Sequence, residues 1–242
     1  MGIRPLLRDA ALAGARVLLR GDAHECPCCG RQFARFIARG DSLLCPRCRS
    51  LERQRTMWLY LRDELGIEHS DARVLHLAPD PPLARRLRAL ARLRYQTGDM
   101  NAGPLVDRTL DARALPFGDD SFDLIICSHV LEHIPEDVQV AREFARVLAP
   151  GGVALIQVPV DPGLEQTFED AAIATPAERE AAYGQSDHVR IYGLDVSARL
   201  RAGGLEVRRV RYAESLGAEV SSRHLLIERG RAPGGDIYHC VA

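Results

Sequence analysis

The sequence contains no lysine; all 32 basic side chains are arginine. With so many alanines beside them, this reads as genome composition rather than mechanism. No apolar run approaches the ~20 residues a helix needs to cross a bilayer, which excludes a membrane-spanning helix. After Arg4 and Pro5 there is no long apolar stretch with a cleavage site, so no secretory leader is read and the cytoplasm is the expected location. There is no internal repeat, no low-complexity tract, no arginine-rich run and no recognisable RNA-binding motif. Glycine is missing at one telling place. Residues 74–83, "VLHLAPDPPL", read as a strand entering a turn and a helix. A nucleotide-type cofactor usually sits at such a turn, and the turn is usually glycine-rich. Here it carries three prolines and an aspartate.

What is present suits an ordinary globular chain. Its 242 residues make one large domain, or one with a small appendage, with ample apolar side chains for a core. The net charge of −1 hides an asymmetry: residues 1–62 hold 12 arginines against 5 acids, and the remainder is acidic. A basic front end suits nucleic acid or another anionic partner, and equally a solvated face docked on an acidic neighbour.

Five of the seven cysteines lie between positions 26 and 48. Cys26 and Cys29 form one C-x2-C pair, Cys45 and Cys48 another, with fifteen residues between the pairs. Two such knuckles can present four thiolates to Zn²⁺ at ~2.3 Å. Each begins Cys-Pro, and Gly30 follows the first. So short a segment cannot build a sufficient core alone, so a metal would supply much of its folding free energy. Disulfides and an iron–sulfur cluster are the competing readings. Cys28 is the spare thiol. Four thiolates leave no open position, which makes such a zinc structural.

Beyond the ribbon, "SLERQRTMWLYLRDELG" reads as a helix with Ser50 as N-cap and Gly66 as stop. Leu51, Met57, Trp58, Leu61 and Leu65 form its apolar face. Strands and helices then alternate, which predicts a parallel sheet with helices on both faces. The strands are "RVLHLA", "RYQTGD", "SFDLIICSHV", "GGVALIQVPV" and "LEVRRVRY", with "GDIYHCVA" as a final edge strand. The helices are "PPLARRLRALARL", with Asp80 as N-cap and Pro81 in its first turn, then "EDVQVAREFARVL" and "LDVSARLRAGG". His76, on the first strand, reads as a satisfied core histidine, and His133 as capping or packing the helix after it. Residues 161–193 interrupt the alternation. The expected organisation is an N-terminal helix and zinc ribbon over 1–50, then one α/β domain over 51–242 with a lid insertion at 161–193.

The block "LDARALPFGDDSFDLIICSHVLEHI", followed by "AREFARVLAPGGVALIQVP", resembles the class I S-adenosylmethionine-dependent methyltransferases, of the type 11 kind. Residues 22–242 as a whole resemble a bacterial subgroup with a four-cysteine ribbon in front and a "TFED…YGQSDHVRIYG" stretch, present at 167–170 and 183–193. The resemblance implies a Rossmann-like, seven-stranded sheet whose last strand is antiparallel. It implies S-adenosylmethionine along Leu77, Ala78 and Pro79 after the first strand, and at Asp99 and Met100 after the second. Asp99 matches the acid on the ribose hydroxyls, since a carboxylate can accept twice from a cis-diol. Asp111 matches the acceptor for the adenine amino group, with the Ala112 amide beside it. Ser128 and His129 line the pocket in relatives.

The proline-shaped turn departs from that family. Pro81 and Pro82 delete two N–H donors at a helix start, where donors cradle phosphate. S-adenosylmethionine has no phosphate, so the departure argues against NAD or ATP more than against this cofactor. It leaves the cofactor's carboxylate to an arginine or to a residue of 161–193. Methyl transfer needs alignment, and a base only where the acceptor must lose a proton. The catalytic candidates are His188, Asp187 and Tyr183; Glu169, Arg190 and Tyr192 are read as substrate or lid contacts. The expected acceptor is a small molecule or glycan. RNA recognised by the basic 1–62 segment, with Phe33, Phe36 and Trp58 as stacking rings, is the alternative. A protein acceptor, and a catalytically dead ribbon-bearing binding module, are further ones. The oligomeric state is not readable.

Overall fold

The structure is a computed structural model and describes residues 18–227 and 235–242. The N-terminal helix expected ahead of the ribbon lies outside the described residues. The chain forms two compact units, neither continuous in sequence.

The first unit takes the described residues up to 68, with 80–89 and 211–235. It opens with two small hairpins: β1 (His24–Cys26) against β2 (Arg31–Phe33), and β3 (Ile37–Arg39) against β4 (Ser42–Leu44). Helix α1 (Glu52–Asp63) follows. Its N-cap is Leu51, not Ser50. The reason is that the Ser50 hydroxyl is engaged elsewhere, 3.2 Å from the Cys26 sulfur and 3.3 Å from that of Cys48. Arg55 fastens α1 to the ribbon. It is wholly buried, donates to the Leu43 and Ser50 carbonyls at 2.9 and 2.6 Å, and lies 5.0 Å over the Phe36 ring. Helices α2 (Pro81–Arg88), α6 (Tyr212–Ser215) and α7 (Gly217–His224) complete the unit. Asp80 is the N-cap residue of α2 as read, though its side chain makes no capping bond. Arg86 of α2 stacks 4.7 Å over Trp58.

The second unit holds a seven-stranded sheet: β5 (Arg73–Leu77), β6 (Arg94–Asp99), β7 (Arg108–Thr109), β8 (Phe122–Ser128), β9 (Leu148–Gln157), β10 (Glu206–Val210) and β11 (Ile237–Val241). The order is β10-β11-β9-β8-β5-β6-β7. Strands β5 to β9 pair in parallel, and β11 runs antiparallel to both neighbours. The expectation of an edge position for the final strand is therefore corrected: β11 is inserted between β9 and β10. Side chains on both of its faces explain why: Ile237 on one and Tyr238 and Cys240 on the other are buried, and an edge would leave their strand half-paired. Helix α3 (Asp137–Val147) presents Val140, Ala141, Phe144 and Val147 to a core shared with Leu75, Leu77, Ile125, Cys127, Ala154 and Ile156. These strand residues alternate along the chain, as one covered face requires. Helix α5 (Val196–Ala202) adds Val196 and Leu200 to the same core. Helix α4 (Pro176–Tyr183) lies in the irregular segment, capped by Thr175 at its start and by Gly184 in the left-handed conformation at its end. Among the described residues no helix is long and apolar enough to cross a membrane.

Candidate functional site

Strand β5 pairs with β6 on one side and β8 on the other, so the chain order reverses there. In an open parallel sheet such a switch opens a crevice at the carboxyl ends of the strands. Register fixes what lines it. Leu77 stands opposite Gly98 and Cys127, so the next residues, Ala78, Asp99 and Ser128, form a row across three strand tips.

Ala78 answers the question raised by the glycine-free turn. It adopts φ +45°, the left-handed region that glycine favours, and its amide donates to the Gly98 carbonyl at 2.8 Å. The turn a glycine would make is made by an alanine. Pro79 follows it. Asp99 is half-buried and spends one oxygen on the Asn101 amide at 2.8 Å. Met100 beside it is exposed. The loop behind Asp99 is held by Thr97, whose hydroxyl bonds the Leu105 carbonyl at 2.7 Å and the Asp107 carboxylate at 2.8 Å. Asp111 lies beyond β7, clasped by Arg113 through Nε at 3.1 Å and Nη2 at 2.8 Å. That guanidinium holds the Asp111 carboxyl below its usual range, so it is ionised at neutral pH. Ala112 is buried. The Ser128 hydroxyl meets the Gln157 amide oxygen at 3.1 Å, and His129 turns out of the strand with φ +56°. The cofactor positions read from the sequence thus gather along one sheet end, from β5 through β8.

The segment after β9 is fastened by a buried ionic knot. Arg190 is 2% exposed and donates to Glu169 at 2.8 Å, to the Leu131, Ile134 and Pro135 carbonyls at 3.0, 2.8 and 2.7 Å, and to the Tyr192 hydroxyl at 3.2 Å. Tyr192 donates to Asp137 at 2.8 Å, and Arg199 grips both Asp137 oxygens at 2.8 Å. Burial works to raise the Asp137 pKa, but Arg199 and Arg190 outweigh it and leave the carboxyl below its ordinary value. Glu169, Arg190 and Tyr192 therefore fasten the 161–193 segment to the 131–137 turn, and Arg190 is committed there rather than offered to a cofactor carboxylate. Sequence reasoning missed Asp137 and Arg199. Their only signal was an acid at the start of one helix and an arginine on another.

The three catalytic candidates separate. The Tyr183 hydroxyl is bound by the Asp170 backbone, accepting from its amide at 3.0 Å. The Asp187 carboxylate is exposed and approaches His133, not His188, at 3.4 Å. His188 is buried and packs edge-on against His133, ring centroids 4.8 Å apart. Burial lowers its pKa, so the ring is neutral at physiological pH. His133 thus joins a histidine cluster instead of capping the helix after it. His76 is buried as read, 2.7 Å from the Tyr95 hydroxyl.

In the ribbon, the Cys26, Cys29, Cys45 and Cys48 sulfurs all lie within 4.8 Å of one another, and no disulfide joins them. Cys26 and Cys48 are 3.5 Å apart, Cys29 and Cys45 3.8 Å. A tetrahedron of thiolates ~2.3 Å from zinc has edges of about 3.8 Å, so the donor set fits that ion. Each knuckle closes on a left-handed residue, Gly30 at φ +65° and Arg49 at φ +67°. Cys28 is not one of the four; its sulfur lies 3.5 Å from the Gln54 carbonyl, and burial, with the Cys26 sulfur beside it, pushes its thiol well up.

A switch-point crevice with acids at its strand tips, on a sheet closed by an antiparallel last strand, defines the class I methyltransferase fold. Comparison agrees. Residues 63–156 match the family described as a methyltransferase domain. An uncharacterized methyltransferase of Mycobacterium marinum is 32% identical over 117 residues, 45% of this chain and 43% of that one. Methyltransferase GfsG of Streptomyces halstedii is 45% identical over 64 residues, 26% of this chain and 22% of that one. The chain thus spans less than half the length of these curated relatives. An S-adenosylmethionine dependent methyltransferase from Mesorhizobium loti shares the fold, with a TM-score of 0.51 at 18% identity, over 77% of this chain and 98% of that one.

Proposed function

We propose that this protein transfers the methyl group of S-adenosylmethionine to a small-molecule or glycan acceptor, and that its ribbon carries a structural zinc. The observation that carries the reading is the row Ala78, Asp99, Ser128 across the switch-point strands, with ionised Asp111 beyond it. Bound there, the cofactor supplies an electrophilic methyl on a sulfonium. Asp99 has a second oxygen for a ribose hydroxyl, and Asp111 presents negative charge to the adenine amino group. The Ala78 turn keeps the backbone clear without aiming donors at a phosphate, which suits a phosphate-free ligand. His188 and Asp187 contact the acceptor from the lid, while Tyr183, Glu169, Arg190 and Tyr192 hold the lid's shape.

A small acceptor is favoured over RNA by the burial of the ribbon's aromatic rings. Phe33 and Phe36 are each 5% exposed and Trp58 is 0% exposed, so none offers a face for a base to stack on. Titration calorimetry tests the cofactor reading. S-adenosylhomocysteine should bind and NAD should not, and Asp99→Ala should weaken binding about 10- to 100-fold, the 1.5–3 kcal/mol of a hydrogen bond to a charged group. Equal affinity in the variant, or binding of NAD alone, would remove this reading.

A further inference from the structure

We propose a second metal site, built from Glu132, His133 and His188, that takes a divalent first-row transition ion and presents it to an oxygen of the methyl acceptor. One ligand atom from each of these residues lies within 4.8 Å of the others. Two imidazoles and one carboxylate are a donor set for zinc or iron(II), and three protein ligands leave positions open for an exogenous oxygen. That separates this site from the ribbon, where four thiolates would fill the shell.

The second observation is the state of Glu132. It is 1% exposed, and among the described residues neither carboxylate oxygen accepts a hydrogen bond. His129 Nδ1 stands 3.1 Å from Oε1. A buried carboxylate that collects imidazoles and no hydrogen bonds is costly unless a cation completes it. The backbone places the set deliberately. Leu131–His133 form a single turn after β8, and the Val189 amide donates to the Glu132 carbonyl at 2.9 Å, which seats His188 beside it. The Asp187 carbonyl and carboxylate lie 3.3 and 3.4 Å from the His133 Nδ1, the kind of outer contact that orients a metal-binding ring. Ligands on one ion at ~2.1 Å stand at most about 4.2 Å apart, so the set closes by a small swing of His133, whose side chain is 34% exposed.

The use of the site, though not its existence, rests on the methyl-transfer reading. The cluster begins four residues past the strand tip Ser128. An acceptor hydroxyl bound to the ion would release its proton to solvent. Its oxygen would form the O–C bond as the methyl–sulfur bond breaks, and the bonding pair would stay on a neutral thioether. No separate general base is then required.

The test is titration of Co²⁺ into the purified full-length protein with its ribbon metal in place, followed by visible absorption. Wild type should take up about one equivalent and show ligand-field bands without thiolate-to-cobalt charge transfer. His133→Ala, Glu132→Gln and His188→Ala should each weaken uptake at least tenfold. His133→Ala removes a partly exposed ring and Glu132→Gln keeps the buried shape, so circular dichroism should match wild type in both. No uptake by wild type, uptake only with thiolate charge transfer, or unchanged affinity in a folded His133→Ala overturns the site. S-adenosylhomocysteine titration of the same sample separates the two ideas. Cofactor binding without cobalt uptake removes the metal and leaves methyl transfer standing; cobalt uptake without cofactor binding does the reverse.

Discussion

Replacing Asp137 with alanine should loosen the 161–193 segment from the start of α3. The carboxylate is 3% exposed and accepts from Tyr192, twice from Arg199, and faces Arg190 at 3.3 Å. Arg190 is itself 2% exposed, so removal leaves a guanidinium in a site with little water. Breaking a buried pair from one side costs about 3–5 kcal/mol, mostly the uncompensated charge left behind. In a chain of 242 residues that corresponds to a melting shift of about 10 °C for the unit that holds it. The refinement is a double-mutant cycle. Removing both charges, as Asp137→Leu with Arg190→Met, should cost less than Asp137→Ala alone, because the buried guanidinium goes with its partner while Arg199 keeps Glu169. Urea melts followed by circular dichroism give the energies, and limited proteolysis between residues 161 and 193 reports the lid directly. A single variant that loses under about 1 kcal/mol, or a double variant whose loss equals the sum of its singles, would refute the reasoning.

The same knot predicts a pH effect. The Asp137 carboxyl is held below its ordinary value in the fold, so its contribution is complete above the unfolded pKa of about 3.9 and fades as pH falls further. Proteolysis of the lid should accelerate below about pH 4 in wild type and show no such step in the Asp137→Leu, Arg190→Met pair. Ala78→Gly should raise stability by up to about 1 kcal/mol, since it removes left-handed strain of 1–2 kcal/mol against a smaller gain in unfolded-chain entropy; a lower midpoint in urea would contradict it. Cys45→Ser should abolish the ribbon's zinc by plasma mass spectrometry, and Cys28→Ser should retain it. Equal retention in both would remove the four-thiolate assignment. Chelation should unfold residues 24–50 while hydrogen exchange in β5, β8 and β9 stays slow.

Much of the fold was legible because its signals are local. Strand β6 was read to the residue from "RYQTGD", and α3 to within a residue at each end, because β-branched runs, acidic turns and Pro-Gly stops are short-range features. The four-cysteine cluster was legible from spacing, whereas the cofactor candidates came from the resemblance of the 107–160 block to a known family. The lid was not. Arg190 and Asp137 are 53 positions apart, and neither residue announces burial in sequence, since arginine and aspartate are ordinarily solvated. The Asp187–His188 pair looked like an oriented imidazole because neighbours in sequence are easily assumed to be partners. The fold turns Asp187 toward His133 and leaves His188 facing Glu132.

By itself the sequence determined the kinds of element, their order, the four-thiolate cluster and the acids that close the strands, since each follows from backbone preference or from residues a few positions apart. Tertiary structure alone decided that the last strand lies inside the sheet, that an alanine makes the turn glycine usually makes, and that a carboxylate and two imidazoles come within 4.8 Å of one another. Those outcomes depend on which distant segments exclude water from each other, and that is a property of the folded chain rather than of any stretch of it.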